Sequence, residues 1–249
     1  MKRGAISDLA QDKVGAIIAA AGASQRMGSI DKIFADLCGR PLIAYALGVF
    51  QRSSVIDYIV LVLSQKNVDQ GWGMVGKYGW SKVIAICSGG ARRQDSVAAG
   101  LERLSGCEYV VVHDGARPLI TEDIIERGLA EVRVHGAVVA AVPAKDTVKV
   151  VDSEGTVVET PDRDRLWLVQ TPQLFRYQLL CEAYRSASSP DLIGVTDDAM
   201  LVEQAGHKVK VYFGDYDNIK ITTPTDLNIA EAILRARKGA QKPELCVSD

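Results

Sequence analysis

Arg26 and Lys32 stand in a loop of very small side chains, Ala19-Ala20-Ala21-Gly22-Ala23-Ser24, which carries no acidic group before Asp31. Small side chains let backbone N–H groups approach an anion closely, and two full positive charges beside them neutralise phosphate, so the segment reads as a phosphate cradle. Two standard nucleotide fingerprints do not fit. Only Gly22 and then Gly28 are available for a dinucleotide pattern, and no Gly-Lys-Ser or Gly-Lys-Thr tripeptide of a P-loop occurs. Taken alone, the loop is also compatible with an ordinary strand-to-helix turn bearing two exposed cations.

Three further clusters offer related chemistry. In Ser88-Gly89-Gly90-Ala91-Arg92-Arg93-Gln94-Asp95-Ser96 the paired glycines again permit backbone approach. Ser96 there either caps a helix or meets a ligand, and Arg92 and Arg93 are either solvated loop charges or anion contacts. In His113-Asp114-Gly115-Ala116-Arg117-Pro118, Asp114 follows an apolar run and lies where a carboxylate can bind a ribose hydroxyl, a metal or a metal's water shell. An Asp114–Arg117 ion pair is the bland alternative; function is favoured because the cluster lies at a strand end. His113 reads as a packed, hydrogen-bonded histidine and is given no chemical role. Lys220, between Ile219 and Ile221 and just before Thr222-Thr223-Pro224, either snorkels to water or meets an anion.

Strands alternating with helices must carry these loops. An apolar strand from Val14 is followed by helical spacing over Pro41–Phe50 and a buried strand over Tyr58–Leu63. The pattern repeats as a strand over 82–86, a helix over 95–104, a strand over 109–112, a helix over 123–134 and a strand over 137–142. Continuous apolar strands separated by helices predict an α/β protein, a mostly parallel sheet flanked by helices, whose ligands bind beyond the carboxyl ends of the strands. The rhythm then changes. Thr147–Val151 and Thr156–Thr160 alternate around Asp152-Ser153-Glu154-Gly155 as a hairpin, which must pack on the body of the domain or on a second subunit. A helix over 176–186, a helix N-capped by Thr196 with Gly206 past its end, a strand over 208–213 and a helix from Thr223-Pro224 to about Arg237, back-capped by Asp226, complete the pattern.

Composition bounds the class. A chain of 249 residues, 47% hydrophobic and 24% charged, buries one large core, so a single domain over 14–237 is expected, with flexible termini over 1–13 and 239–249. The net charge of −2 argues against nucleic-acid binding by bulk electrostatics. Five scattered cysteines without a Cys-x-x-Cys spacing argue against a disulfide framework or a structural zinc site and for a reducing compartment. No apolar run is long enough to span a bilayer, and Asp8 and Asp12 interrupt the segment where a signal peptide needs a hydrophobic region, so a cytoplasmic location is expected.

Ala20-Ala21-Gly22 with Arg26 and Lys32, Gly89-Gly90 with Arg93 and Ser96, His113 to Pro118, Asp146-Thr147, Asp162-Arg163, Gln170-Thr171-Pro172-Gln173 and Ile219-Lys220-Ile221-Thr222 follow one another in order. The series resembles the 2-C-methyl-D-erythritol 4-phosphate cytidylyltransferases of the non-mevalonate isoprenoid pathway over roughly Val14 to Leu234. The resemblance implies a Rossmann-like nucleotidyltransferase fold with a protruding β-hairpin arm at about 144–165. It also implies a reaction: CTP and methylerythritol phosphate give 4-diphosphocytidyl-2-C-methyl-D-erythritol and pyrophosphate, with Mg²⁺ held mainly by the CTP phosphates and no protein metal ligand assigned. By the same resemblance Ala20, Ala21, Gly90 and Ser96 hold the cytosine ring, with Gly22 and Arg93 also on the nucleotide. Arg26 and Lys32 bind the triphosphate and stabilise the transition state, and Asp114 lies near both sugars. Thr171, Arg163 and Lys220, with Arg117 and Thr147, hold methylerythritol phosphate. Arg26, Lys32, Arg163 and Lys220 form the catalytic set, with Arg163 and Thr147 reaching in from the arm of a partner subunit in a homodimer. A ribitol 5-phosphate cytidylyltransferase shares the fold, but His113 to Pro118 and Thr196-Asp197-Asp198-Ala199 resemble the methylerythritol branch more. A nucleotide-binding regulatory module would have lost cations that this chain keeps.

Overall fold

In the computed structural model, residues 12–22, 32–187 and 194–240 are described. Strand β1 (Val14–Ala20) forms from an unbroken run of small and β-branched apolar residues, which suits a strand buried on both faces. A short ladder of β2 (Asp36–Leu37) with β3 (Arg40–Pro41) leads into α1 (Leu42–Arg52), followed by β4 (Tyr58–Leu63), α2 (Val68–Tyr78), β5 (Val83–Ser88), α3 (Arg93–Leu101) and β6 (Tyr109–Asp114). Helix α4 (Glu122–His135) and β7 (Ala137–Pro143) come next. The hairpin strands β8 (Val150–Val151) and β9 (Val157–Glu159), the long β10 (Trp167–Arg176), α5 (Tyr177–Ser186), α6 (Asp198–Gln204), β11 (Lys210–Phe213) and α7 (Pro224–Ala240) complete the order.

The central sheet has seven strands in the order β11-β7-β10-β6-β1-β4-β5. Pairings β1–β4, β1–β6, β4–β5 and β7–β11 are parallel, whereas β10 runs antiparallel to both of its neighbours, β6 and β7. Successive residues of each strand face opposite sides. Thus Ala16, Ile18 and Val111 pack beneath α1, α2 and α4, through residues such as Phe50, Met74 and Ile125. On the other face, Ile17, Val110 and Val112 pack against Val97 of α3, Leu180 of α5 and Val202 of α6. Helix α7 joins a separate cluster, in which Ala230 packs with Leu42, Leu119 and Ile221.

The strand order reverses at β1: the chain moves outward through β4 and β5, then returns to place β6 on the other side of β1. In open α/β sheets the crevice at such a switch point receives ligands. Here it brings Ala19 of β1 opposite Asp114 of β6.

Several elements differ from the sequence-based expectation. Strand β6 continues past Val112 through His113 to Asp114, because these two residues pair with Ile18 and Ala19 of β1, a distant part of the chain. Helix α6 is capped by Asp197, whose carboxylate accepts the Met200 N–H at 3.0 Å, and not by Thr196. Helix α7 continues to Ala240, beyond Arg237. Helix α2 was not expected, since three glycines within Val68–Tyr78 dilute its periodicity. Strand β10 was not expected either, because Pro172 lies within it. It accommodates the proline by a bulge: four steps from Val169 to Gln173 match two steps along β7, and the Thr171–Pro172 peptide is cis. Among the described residues, no helix is long and apolar enough to cross a membrane.

Candidate active site

At the carboxyl ends of β1, β5 and β6 a cavity of about 410 Å³ is lined by Ala20, Ala21 and Gly22 from β1 and its loop, Gly90, Arg93 and Ser96 from the β5–α3 turn, and Lys32, Asp114 and Lys220. A smaller cavity of about 190 Å³ adjoins it, lined among others by Arg117, Gln170, Thr171 and Gln173. Arg93, Asp114 and Lys220 line both and so form a common wall.

Local structure explains each placement. The β5–α3 turn needs Gly89, since a Cβ there would collide with Ala21 Cβ and Ser96 Oγ. The turn therefore draws the start of α3 against the end of β1. Asp95 accepts the Arg92 N–H at 3.0 Å and the Arg92 guanidinium at 2.8 Å, so Arg92 is tied to its own helix and Arg93 faces inward. Ser96 does not cap: its hydroxyl donates back to the Arg92 carbonyl at 3.2 Å while the side chain lines the larger cavity. Lys220 is brought to the wall by the Ile221 N–H, which donates to Ala116 O at 2.8 Å, and Asp226 then accepts the Thr222 and Thr223 N–H groups at 2.7 Å each to start α7.

Asp114 is the electrostatic centre. Its two oxygens take different partners, Oδ1 the Arg93 Nε at 3.3 Å and Oδ2 the Lys220 Nζ at 2.6 Å. Arg93 also binds Asp198 at 2.6 Å, and the fully buried Asp198 accepts the Tyr184 hydroxyl at 2.6 Å. Burial alone would raise the pKa of the Asp114 carboxyl, but the charges of Arg93 and Lys220 outweigh it and keep that pKa well below the usual carboxylate range. Asp114 does not pair with Arg117. The Arg117 guanidinium instead donates to Asn218 O at 2.7 Å. His113 is completely buried, in tilted contact with Phe50, and burial lowers its pKa from 6.5 to about 4, so the ring is neutral at physiological pH.

The bulge in β10 positions the floor of the smaller cavity. Thr171 comes opposite Asp114, where its hydroxyl accepts the Asp114 N–H at 3.0 Å, and the Thr171 carbonyl accepts the Asn218 side-chain amide at 2.8 Å. Gln170 ties the same bulge to Asp215 O at 2.8 Å.

Ala20, Ala21, Gly22, Lys32, Gly90, Arg93, Ser96, Asp114, Arg117, Thr171 and Lys220 are therefore brought together around two adjoining cavities. Thr147 and Arg163 line neither cavity within one chain. Arg163 instead donates to Lys145 O at 3.0 Å within its own exposed arm. Arg26 and Gly28 lie outside the described residues. Sequence reasoning missed the Arg93–Asp198–Tyr184 relay and the Asn218 clamp. Neither has a local signature, since Tyr184 and Asp198 meet only because α5 and α6 pack together.

The family model for IspD, 2-C-methyl-D-erythritol 4-phosphate cytidylyltransferase, matches residues 14–236. The 2-C-methyl-D-erythritol 4-phosphate cytidylyltransferase of Dehalococcoides mccartyi is 52% identical over 224 residues, covering 90% of this chain and 97% of that protein. The one from Alkaliphilus metalliredigens is 46% identical over 235 residues, covering 93% and 97%. Among solved structures, the 4-diphosphocytidyl-2C-methyl-D-erythritol synthase of Anaerococcus prevotii superposes with a TM-score of 0.80 at 35% identity, covering 90% of this chain and 96% of that one. The Thermus thermophilus 2-C-methyl-D-erythritol 4-phosphate cytidylyltransferase gives 0.72 at 33%, covering 90% and 99%. Agreement of this kind, end to end in sequence and in fold, leads to one conclusion: the chain belongs to the 2-C-methyl-D-erythritol 4-phosphate cytidylyltransferase family of nucleotidyltransferases.

Proposed function

We propose that the larger cavity takes CTP and the smaller one 2-C-methyl-D-erythritol 4-phosphate, and that the chain joins them to 4-diphosphocytidyl-2-C-methyl-D-erythritol with release of pyrophosphate. The observation that carries this reading is the wall common to the two cavities, where Asp114 holds Arg93 and Lys220 between them. A phosphate oxygen of the sugar-alcohol phosphate attacks the α-phosphorus of CTP in line; the new P–O bond forms as the bond to the β-phosphate oxygen breaks. The nucleophile is already an anion at neutral pH, so no general base is required. The obstacle is repulsion between two anions together with charge building on the leaving group, and positioned cations remove both.

Lys220 and Arg93 lie where the two phosphates must meet, and Asp114 is the counter-ion that pairs with both and holds them in place. Lys32, with Arg26, carries the triphosphate. Ala20, Ala21, Gly90 and Ser96 leave room for the flat cytosine ring beside backbone amides. Among the described residues no group of three or more His, Cys, Asp or Glu could hold a metal ion, and both oxygens of Asp114 are engaged. These residues suit a Mg²⁺ that takes its ligands from the CTP phosphates, as that ion prefers, and that adds charge neutralisation when bound.

The arm belongs to a homodimer in this reading. Val150, Val151, Val157 and Val158 are exposed on the hairpin, and Trp167, Leu168 and Val169 are exposed at its root. Two short strands without a core of their own need a partner surface. A second subunit would cover these residues and would bring Arg163 and Thr147 to the smaller cavity across the interface. The single domain over 14–237 and a cytoplasmic location complete the proposal.

The test is pyrophosphate release from CTP and Mg²⁺ by the purified protein. Methylerythritol phosphate should support turnover far faster than ribitol 5-phosphate. Turnover with ribitol phosphate alone would move the substrate assignment to that alcohol, and no turnover with either would leave a binding module.

A further inference from the structure

We propose that His113 is a positioning residue that fixes the Thr171 hydroxyl as a pure hydrogen-bond acceptor toward the smaller cavity, so that a ligand hydroxyl, and not a phosphate oxygen, docks there. The inference rests on the function proposed above for the identity of the ligand, and on donor and acceptor arithmetic for its polarity.

The His113 ring has two polar neighbours. Its Nε2 lies 3.1 Å from the Arg117 carbonyl oxygen and its Nδ1 lies 3.1 Å from Thr171 Oγ1. A carbonyl oxygen can only accept, so Nε2 carries the proton. The ring is buried and neutral, which leaves Nδ1 with a bare lone pair. Thr171 owns a single hydroxyl proton and must give it to Nδ1. Its oxygen already accepts the Asp114 N–H at 3.0 Å. One lone pair remains on a side chain that lines the smaller cavity.

Such an oxygen offers a ligand nothing but electron pairs. An ionised phosphate also has only lone pairs to offer and would be repelled, whereas an alcohol donates its proton. Arg93 and Lys220 line the same cavity and are the groups suited to the phosphate. A polyol phosphate is thereby oriented end to end, with its phosphate toward the wall of Arg93 and Lys220 and a hydroxyl on Thr171. A plain alkyl phosphate would leave the Thr171 lone pair facing no donor, and sites built around a substrate hydroxyl discriminate strongly against its absence.

Two measurements decide this. The first is the ¹⁵N spectrum of the histidine rings in the wild-type protein, with no substrate present. The chain has three histidines, so His113 is assigned in a variant carrying His135→Gln and His207→Gln. A proton on Nε2 and none on Nδ1 from about pH 6 to about pH 8 is expected. An Nδ1–H tautomer or an imidazolium in that range overturns the proposal. The second compares the monodeoxy analogues of methylerythritol phosphate on wild type, Thr171→Ser and Thr171→Val. Loss of one particular hydroxyl should lower kcat/KM roughly tenfold or more in wild type and in Thr171→Ser, and cause no further loss in Thr171→Val. Equal losses in all three proteins would also overturn it. If the parent substrate were not turned over at all, the proposed function would fail, while the ring spectrum would still decide the polarity of the Thr171 hydroxyl.

Discussion

At the scale of single residues, Asp114 and His113 are adjacent, both buried, and electrostatically opposite. Asp114 is kept ionised by two cations; His113 is kept neutral by burial. Replacing Lys220 with Ala, or Asp114 with Asn, removes one member of an aligned set. Turnover should fall on the order of a hundredfold to a thousandfold, as commonly seen when a charge-stabilising donor is removed. Steady-state pyrophosphate release reads this directly, and near-normal turnover in both variants would contradict their role at the wall. The two groups also shape stability against pH. His113 has a folded pKa of about 4 against an ordinary 6.5, so the unfolded chain binds the extra proton first. Stability should decline as pH falls from about 6.5 to about 4, by roughly 3 kcal/mol for this group. Asp114, with its folded pKa depressed, contributes stability that is present above the ordinary carboxyl pKa of about 4 and is lost only as pH falls further. Urea unfolding across a pH series tests the pair: a profile flat between pH 6.5 and 4 would refute the neutral burial of His113.

At the scale of elements, the site depends on how helices begin and where one strand bulges. Asp197 caps α6 through the Met200 N–H and also accepts the Gln173 side-chain amide at 2.7 Å, while the next residue, Asp198, holds Arg93. Asp197→Ala should cost about 1–2 kcal/mol in thermal unfolding and should also lower turnover, because the helix start that aims Arg93 loosens. A loss of stability with unchanged kcat/KM would separate the cap from the site. Sequence pattern was sufficient for β1, β4, β7, α1 and α4, where apolar runs or helical spacing are strong. It was insufficient for α2, whose glycines hide the buried face of Gly71, Met74 and Val75, and for β10, whose proline argues against a strand. The end of β6 differs for a related reason, since the polar His113 and Asp114 become strand only by pairing with Ile18 and Ala19 of β1.

At the scale of the whole molecule, the two cavities of one chain lack Arg163 and Thr147, which lie on an exposed arm. If a partner subunit supplies them, Arg163→Ala and Lys220→Ala should each be nearly inactive alone yet recover measurable turnover when co-refolded. A hybrid dimer then holds one intact site, with Arg163 from one chain and Lys220 from the other. Absence of recovery, or full activity in a monomer observed by sedimentation, would refute the contribution of Arg163 across subunits. The apolar residues on the hairpin and at its root predict the same dependence, since Val158→Asp should favour the monomer and lower turnover together.

The residues themselves determined the class of strand and helix, the loops that follow the strands, and the chemistry those loops can perform, because hydrophobic periodicity and side-chain charge are local properties. Ala20 to Gly22, Gly90, Arg93, Asp114 and Lys220 were all legible as candidates. Only the tertiary structure decided which of them meet. The reversal of strand order at β1 sets Ala19 beside Asp114, the bulged β10 delivers Thr171 to the same point, and the packing of α6 on α5 supplies Asp198 to Arg93. Each of these joins residues far apart along the chain, and such contacts arise from how buried surfaces fit together, which no local pattern encodes.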